Sequence, residues 1–390
     1  MLNGICHSPV KYFFGRGMEC EVGRLVREHT DLVLLHYGGR SLLDSPLYGV
    51  IRDSLCNAGV GICELGGVQP NPRAELVRRG IELCRQKSIG FILAVGGGSV
   101  IDSAKAISIG AKYDGDFLDF FWQKTVPTEA LRIGVVVTIP GSGSESSLGS
   151  VITDTASRRK LVCDNPLLAP VFAILNPEYT FTLSPFQSSC GIVDAMSHLM
   201  ERYFSNTPNV ECSDRICEGL LRVLMDHATR VADAPADYDI RAEIMWACRV
   251  AQDPLPGFGR KQDWACHKIA HEISGLYDFP HGAVIGVLFL AWMKVVSPRN
   301  VGKIVQFGVR VFGLDDRMSP ENVAQQTIAG FERFLVNIGL PIRLRELGRV
   351  EKENFSTIAK NSIQFMRSGT IGNYVRIDCP GILELLKKAY

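Results

Sequence analysis

Short, continuously apolar runs recur through the first half of the chain and limit its fold more than any other feature. Between glycine and proline boundaries they occupy residues 32–35, 59–62, 91–95, 135–137 and 171–175. A strand with one face in water alternates apolar and polar residues, whereas these runs do not. Continuous apolarity therefore predicts strands that are buried on both faces, as in a parallel sheet covered by helices.

Helical stretches at 72–87 and 100–109 separate some of these runs, and this alternation indicates an α/β domain of the nucleotide-binding type. After Phe186, β-branched runs become rare and a 3.6-residue periodicity dominates, at residues 212–231, 241–251, 262–276 and 322–337. A chain of 390 residues also exceeds one ordinary hydrophobic core. The sequence therefore predicts two domains, an α/β dinucleotide-binding domain at 1–184 and a helical domain at 185–390.

Charge and cysteine usage exclude several classes of partner. The 42 lysine and arginine residues balance 41 aspartate and glutamate residues and are scattered, so nothing predicts binding to nucleic acid or to a membrane surface. The longest apolar run, 283–293, is too short to span a bilayer. The twelve cysteines contain no Cys-x-x-Cys pair, which is typical of reduced thiols, and we expect a cytoplasmic protein.

A glycine turn, Gly96-Gly97-Gly98-Ser99, follows the third apolar run, and a helix is expected from residue 100. A strand, a glycine turn and a helix start leave backbone N–H groups aimed at one point, where the helix dipole favours negative charge. Glycine also lets a pyrophosphate approach the backbone where a Cβ would block it. The turn therefore predicts a phosphate site, with Ser99 as helix cap or phosphate donor. A plain tight turn is the alternative, because the Gly-x-Gly-x-x-Gly fingerprint is absent.

A second loop, at residues 140–146, follows the strand that ends at Thr138 and carries Ser142 and Ser144. Small hydroxyls and flexible backbone after a buried strand suit a ligand at the carboxyl edge of an α/β sheet. Glycine and serine clusters are more often simple loops, so this loop alone is weak support for a binding site.

Two short stretches of the second half have the spacing of one metal site. Asp194 and His198 lie four residues apart, as do His267 and His271, and His281 follows after a turn-rich segment. Residues four apart share one helix face, so each pair can aim at one point. A carboxylate with two or three imidazoles is the ligand set of a catalytic zinc or ferrous ion. Spacing alone leaves all five residues as candidate ligands, with solvated helix faces as the alternative.

Several motifs of this chain resemble the iron-containing (group III) alcohol dehydrogenases in order and spacing. They lie at residues 14–17, 71–72, 96–105, 143–145, 191–198 and 267–282. Within that family, residues 37–41 and 262–265 are most similar to the NADPH-dependent butanol dehydrogenase and aldehyde reductase branch. The resemblance covers nearly the whole chain. It implies a dehydroquinate synthase-like architecture, a metal-binding and catalytic role for the helical domain, and a homodimer.

The resemblance also implies which residues act. The implied ligands of Fe²⁺ or Zn²⁺ are Asp194, His198, His267 and His281. His271 is then a pocket neighbour, and we expect it to take part in catalysis with Asp194 and His267. Proton relay by His271 is a hypothesis beside a purely structural role. The expected contacts to the cofactor are Gly38, Gly39, Arg40, Ser41, Gly96, Gly97, Gly98, Ser99, Asp102, Thr138, Ser142, Ser144, Lys160 and Tyr179.

Cofactor preference depends on the end of the first strand of the nucleotide-binding domain. NAD-using members of the family carry an aspartate there, which accepts hydrogen bonds from both ribose hydroxyls and repels a 2′-phosphate. Here two glycines precede Arg40 and Ser41 with no carboxylate, and arginine can bind a phosphate bidentately. We therefore expect NADP(H) rather than NAD(H), unless Arg40 points into solvent. Lys160 is the other basic candidate, although 158–160 could be a solvated charge run.

The expected reaction is hydride transfer between a nicotinamide and a small aldehyde or primary alcohol that a divalent metal polarises. The alternatives on this fold are an NAD(H)-dependent polyol dehydrogenase and a dehydroquinate synthase-like lyase. Both would need further basic pocket residues, which the sequence does not clearly place. One departure from the branch is Gln252-Asp253-Pro254, where its members have leucine and asparagine before glycine. This departure predicts a more polar substrate, unless Asp253 only caps a turn.

Overall fold

The structure is a computed structural model that describes all 390 residues, which form two compact units. The α/β unit comprises Ser8–Thr182 and Ala236–Met245, and the helical unit comprises Met1–His7, Leu183–Pro235 and Trp246–Tyr390. The long α/β segment ends at residue 182 and the helical unit resumes at residue 183, close to the predicted boundary after residue 184. Residues 1–7 and 236–245 lie in the unit opposite to the one expected, and the division into domains at 184 stays a prediction.

All strands lie in the α/β unit: β1 Lys11–Phe14, β2 Leu32–Tyr37, β3 Gly61–Leu65, β4 Phe91–Gly97, β5 Arg132–Ile139, β6 Gly149–Asp154, β7 Arg159–Asp164 and β8 Phe172–Leu175. Six of them form one sheet in the order β1-β8-β5-β4-β2-β3, in which every neighbouring pair is parallel. The predicted parallel sheet is confirmed, because the five apolar runs fall in β2, β3, β4, β5 and β8.

Helices cover both faces of this sheet. They are α1 Val22–Arg27, α2 Arg40–Leu43, α3 Pro46–Asn57, α4 Ala74–Gln86, α5 Gly98–Gly110 and α6 Leu118–Phe121. Helices α1 and α3 pack on the face formed by Val33, Leu35 and Phe91. The opposite face of β2 presents His36, which contacts Ser103 of α5. The strands are therefore buried on both sides, which is the physical reason for their continuous apolarity.

The second half is helical, as predicted, with α7 Pro185–Tyr203, α8 Glu211–Asp233, α9 Tyr238–Gln252, α10 Ala265–Tyr277, α11 His281–Val296, α12 Gly302–Arg310, α13 Pro320–Asn337, α14 Phe355–Ile363 and α15 Cys379–Ala389. Ser184 begins α7 with a capping box: its Oγ accepts the N–H of Gln187, and the Gln187 side chain accepts the N–H of Ser184. The apolar run 283–293 lies in α11, which is buried on nearly all sides. None of the helices combines the length and apolarity that a membrane span requires.

The sequence reading missed two features of the α/β unit. The first is β1, which pairs only with β8 at one edge of the sheet and begins with a lysine. The second is the antiparallel pair of β6 and β7, which carries Asp154 opposite Arg159. Both features include charged residues, and β1 is at most half-buried, so neither has the sequence pattern of a strand that is buried on both faces.

His36 links β2, β3 and α5 inside the α/β unit. Its side chain is fully buried, with Nδ1 2.7 Å from the carbonyl oxygen of Leu65 and Nε2 2.9 Å from the hydroxyl of Ser103. A carbonyl can only accept, so Nδ1 carries the proton and Nε2 accepts from Ser103. Burial lowers the pKa of His36 to about 4, so the imidazole is neutral at physiological pH.

This buried imidazole predicts acid-sensitive stability. The pKa of His36 is lower in the folded than in the unfolded state, so its contribution is complete above pH 6.5 and is lost as the pH falls towards 4. At pH 5 we expect a loss of about 2 kcal/mol in the free energy of unfolding. Urea unfolding at pH 7.5 and pH 5 would measure it, with His36→Gln as the control, because glutamine can donate and accept without titrating. An equal pH dependence in the two proteins would contradict this role of His36.

Candidate active site

Three helices of the helical unit carry the predicted metal ligands. Asp194 and His198 lie one turn apart on α7, and both are buried. His267 is in the first turn of α10, and His281 is the first residue of α11. Asp194 and His198 therefore share one face of α7. His267 and His281 approach that face from the amino ends of α10 and α11.

Asp194, His267 and His281 form one compact group, in which the three ligand atoms lie within 4.8 Å of one another. His281 Nε2 is 3.6 Å from Asp194 Oδ1, and His198 Nε2 is 3.8 Å from the same oxygen. The rings of His198 and His267 are stacked, with centroids 4.9 Å apart. The structure thus brings the four predicted ligands together, with three in the tightest cluster and His198 beside it. Their ligand roles stay a prediction.

The donors of this group fit a divalent cation. One carboxylate with imidazole nitrogens is a set that both ferrous iron and zinc accept. His198 Nδ1 is buried and has no hydrogen-bond partner. Burial, with smaller effects from His267 and Arg202, lowers the pKa of His198 well below its usual value. The ring is therefore neutral, which is the form that binds metals.

His271 lies one turn beyond His267 on α10 and is partly exposed. Its ring centroid is 6.3 Å from that of His267 and 5.4 Å from that of His281. It belongs to the same histidine cluster but not to the compact group of three. Whether it relays protons stays a prediction.

The sequence reading missed Glu201, which also belongs to this site. Its side chain is almost fully buried, and Oε1 lies 3.0 Å from the backbone N and 2.9 Å from Nδ1 of His267. Burial raises the pKa of Glu201 to about 8, against the opposing effect of the N–H groups of Trp264, Cys266 and His267. A signal existed in the sequence, because residues 194, 198 and 201 follow the i, i+4, i+7 pattern of one helix face.

The turn before α10 is also unusual. Trp264 has φ +62°, a left-handed backbone that bulky residues rarely adopt. Its ring lies edge-on to His267 at 5.0 Å and tilted against His198 at 6.1 Å. Buried Asp263 accepts the N–H groups of Ala265, Asn373 and Tyr374, which holds this turn from its other side. The contacts of Asp263 therefore hold a strained segment next to the histidine cluster.

Residues 252 and 253 do not support a polar substrate. The Gln252 carbonyl and side-chain oxygens accept from the buried guanidinium of Arg202. Asp253 pairs with Arg249 at 2.9 Å and accepts the N–H of Leu255 at 3.0 Å. Asp253 is therefore a turn-capping residue, which was the alternative to a role in substrate recognition.

In the α/β unit the glycine turn joins β4 directly to α5. A Cβ at Gly96 would overlap Val100, one at Gly97 would overlap Ile139, and one at Gly98 would overlap the Ser142 side chain. Helix α5 starts at Gly98 and has no side-chain cap. Ser99 lies inside the first turn, so its expected capping role is wrong. The uncapped N–H groups leave this helix start open to an anion.

The second loop is bound to α5. Ser144 donates its hydroxyl to Asp102 at 2.7 Å, and Lys105 Nζ donates to the carbonyls of Ser144, Ser147 and Gly149 at 2.7–2.9 Å. Lys105 is fully buried and Asp102 is partly buried, and burial raises the pKa of Asp102 to about 6 and lowers that of Lys105 to about 8. The two predicted loops therefore meet, with Lys105 as a structural anchor that the sequence reading missed.

The other predicted cofactor contacts lie in different surroundings. Gly38 and Gly39 follow β2, and exposed Arg40 and Ser41 begin α2. Partly exposed Thr138 lies near the end of β5. Because β5, β4 and β2 are parallel neighbours, the loops after them share the carboxyl edge of the sheet.

Lys160 and Tyr179 make structural contacts as well. Lys160 is buried and donates to Asn71 Oδ1 at 2.9 Å, so it is not part of a solvated charge run. The Tyr179 hydroxyl donates to Glu19 Oε1 at 2.6 Å. The contacts of all these residues to a cofactor stay predictions.

Comparison with known proteins identifies the family. The model of iron-containing alcohol dehydrogenase matches residues 9–177, and that of the C-terminal region of the Fe-containing alcohol dehydrogenase family matches residues 189–390. Probable NADH-dependent butanol dehydrogenase 1 of Bacillus subtilis is 38% identical over 99% of both chains. NADPH-dependent aldehyde reductase YqhD of Escherichia coli is 32% identical over 89% of this chain and 90% of the reductase.

A solved structure gives the same result. The crystal structure of NADH-dependent butanol dehydrogenase A from Thermotoga maritima has a TM-score of 0.95 at 33% identity, covering 100% of this chain and 99% of that one. The names of the relatives divide between NADH and NADPH, so they leave the cofactor preference open. The resemblance read from the motifs is confirmed, and the chain belongs to the iron-containing alcohol dehydrogenase family of NAD(P)-dependent oxidoreductases.

Proposed function

We propose that this chain is a metal-dependent NADP(H) alcohol dehydrogenase or aldehyde reductase that acts on small aldehydes and primary alcohols. The observation that carries the proposal is the buried group of Asp194, His267 and His281, with His198 beside it. A divalent cation would supply Lewis-acid polarisation of the substrate oxygen there, and a nicotinamide would exchange hydride with the adjacent carbon.

The chain's own residues perform the remaining tasks. Asp194 and the imidazoles hold the cation in a largely buried place, where competing water is scarce. The start of α5 holds the pyrophosphate, because its N–H groups have no side-chain cap and the helix dipole favours negative charge there. The homodimer implied by the resemblance stays a prediction.

A small aliphatic aldehyde fits this site better than a polar substrate. Gln252 and Asp253 are engaged with arginines and a turn, so neither offers its polar group to a ligand. The ring of Trp264 adds an aromatic surface beside His198 and His267. The butanol dehydrogenase relatives agree with a short-chain substrate.

We expect metal removal to abolish reduction of butanal by NADPH. Chelation followed by dialysis should lower kcat/KM at least about 100-fold, and Fe²⁺ or Zn²⁺ should restore it. Asp194→Asn should show the same loss and no restoration, whereas Asp226→Asn, at an exposed position of α8, should behave as the parent protein. Full turnover by the metal-free protein would contradict the proposal. Faster reaction with glycerol and NAD⁺ would favour the polyol alternative.

The NADP(H) preference is proposed from the segment after β2. Residues 38–41 contain no carboxylate that would repel a 2′-phosphate, and Arg40 and Ser41 are exposed at the start of α2. Gly39 has φ −98°, and a Cβ there would meet no other atom within 4 Å. The segment can therefore accommodate a 2′-phosphate. An aspartate introduced at residue 39 would also fit there without backbone strain.

We expect kcat/KM to be higher with NADPH than with NADH. Arg40→Ala should lower the ratio of kcat/KM with NADPH to kcat/KM with NADH about tenfold, by raising the KM for NADPH. This is the effect expected from the loss of one charge-assisted contact. Gly39→Asp should shift the preference towards NADH, because the new carboxylate repels the 2′-phosphate. Arg79→Ala, at an exposed position of α4, is the matched control. A parent protein that prefers NADH would end the claim.

His271 is proposed to pass a proton between solvent and the substrate oxygen. Its partial exposure and its 5.4 Å ring separation from His281 support this role, since a relay must reach both water and the site.

We expect His271→Ala to lower kcat about 100-fold and to change the shape of the pH–rate profile, without loss of bound metal. His271→Gln, which keeps polarity but cannot shuttle protons, should behave similarly. Near-normal turnover across the pH range would leave His271 a structural role only, and loss of metal in either variant would make it a ligand instead.

A further inference from the structure

We propose that Glu201 is a positioning residue for the metal group: it holds His267 in one ring orientation and in the tautomer that has its hydrogen on Nδ1. The inference rests on the proposed function, because it concerns the same group of residues. Glu201 does not belong to the compact group itself, and it acts through its contacts with His267.

One carboxylate oxygen contacts His267 at two atoms. Oε1 of Glu201 accepts the backbone N–H of His267 at 3.0 Å and lies 2.9 Å from Nδ1 of the same residue. Two contacts from one atom to the main chain and to the ring restrict both side-chain torsions of the histidine. Since both partners are buried, water cannot replace either contact.

The surrounding donors select the tautomer. The backbone N–H of His267 bonds to the same oxygen as the ring does, and an N–H group can only donate, so Oε1 of Glu201 acts as an acceptor. The ring contact is then also donated to this oxygen, so Nδ1 of His267 carries the hydrogen and Nε2 keeps its lone pair.

Glu201 also replaces a missing helix cap. Helix α10 begins after Trp264, which has a left-handed backbone and no side-chain cap bond. Asp263 accepts the N–H of Ala265, and Glu201 accepts that of His267, which α10 cannot satisfy at its own amino end. A role as a cap alone and a role in positioning His267 therefore have to be separated by experiment.

Asp263 offers the matched control for that separation. It is a buried carboxylate that accepts the N–H groups of Ala265, Asn373 and Tyr374, so it stabilises the same turn. No hydrogen bond of its side chain with His267 is found. Asp263→Asn should therefore disturb the turn without changing the ring of His267.

The tautomer is measured first in the parent protein, without any substitution. Metal-free protein labelled with ¹⁵N-histidine should show His267 with the hydrogen on Nδ1 in two-bond ¹H–¹⁵N spectra. In Glu201→Met, a side chain of similar length replaces the oxygen that makes both contacts with His267. We therefore expect a mixed or Nε2–H tautomer, together with Zn²⁺ binding weakened about 10- to 100-fold in competition with a chelator.

Asp263→Asn should keep the tautomer of the parent protein and its Zn²⁺ affinity to within about threefold, even where its melting temperature falls. An Nε2–H tautomer in the parent protein would overturn the inference. So would a Glu201→Met protein that keeps both tautomer and Zn²⁺ affinity and loses only thermal stability. Zn²⁺ binding is measured without turnover, so a protein that binds zinc at this group but reduces no aldehyde would refute the proposed function and leave the role of Glu201 standing.

Discussion

The amino end of α10 is the constraint on which the candidate metal group depends. A helix start exposes N–H groups that need acceptors, and the residue before α10 supplies none from its side chain. Glu201 accepts from this turn across the gap between two helices, so one buried carboxylate completes α10 and orients His267. Asp194 and His198 lie on the same helix as Glu201. Helix α7 therefore positions two of the candidate ligands and also the residue that orients His267.

A buried lysine side chain fixes an irregular segment in the α/β unit in a similar way. Lys105 donates to three carbonyls of the loop after β5 and so attaches that loop to the helix that begins at the glycine turn. Glu201 accepts a backbone N–H, and Lys105 donates to backbone carbonyls. In each unit, a buried ionisable side chain bonds to the main chain, which ties an irregular segment to a rigid helix.

Much of the fold could be predicted because buried residues recur along the chain at the spacing of a strand or of a helix. The central strands were readable as continuous apolar runs, and the long helices as 3.6-residue patterns. Edge strand β1 and the β6–β7 pair were not, since neither is covered on both faces. The polar residues at 252 and 253 were visible in the sequence, but their partners Arg202 and Arg249 were not, and the polarity of the substrate stays a prediction.

The sequence by itself determined the parallel sheet, the glycine turn with no room for side chains, and the set of candidate metal ligands with their spacing. Those features are encoded within a few neighbouring residues, where the helix and strand periods apply directly. Only the tertiary structure decided which histidines join Asp194 most closely, that Lys160 is buried, and that Glu201 contacts His267, 66 residues further along the chain. Contacts at that separation depend on how helices pack, and no local pattern of residues specifies helix packing.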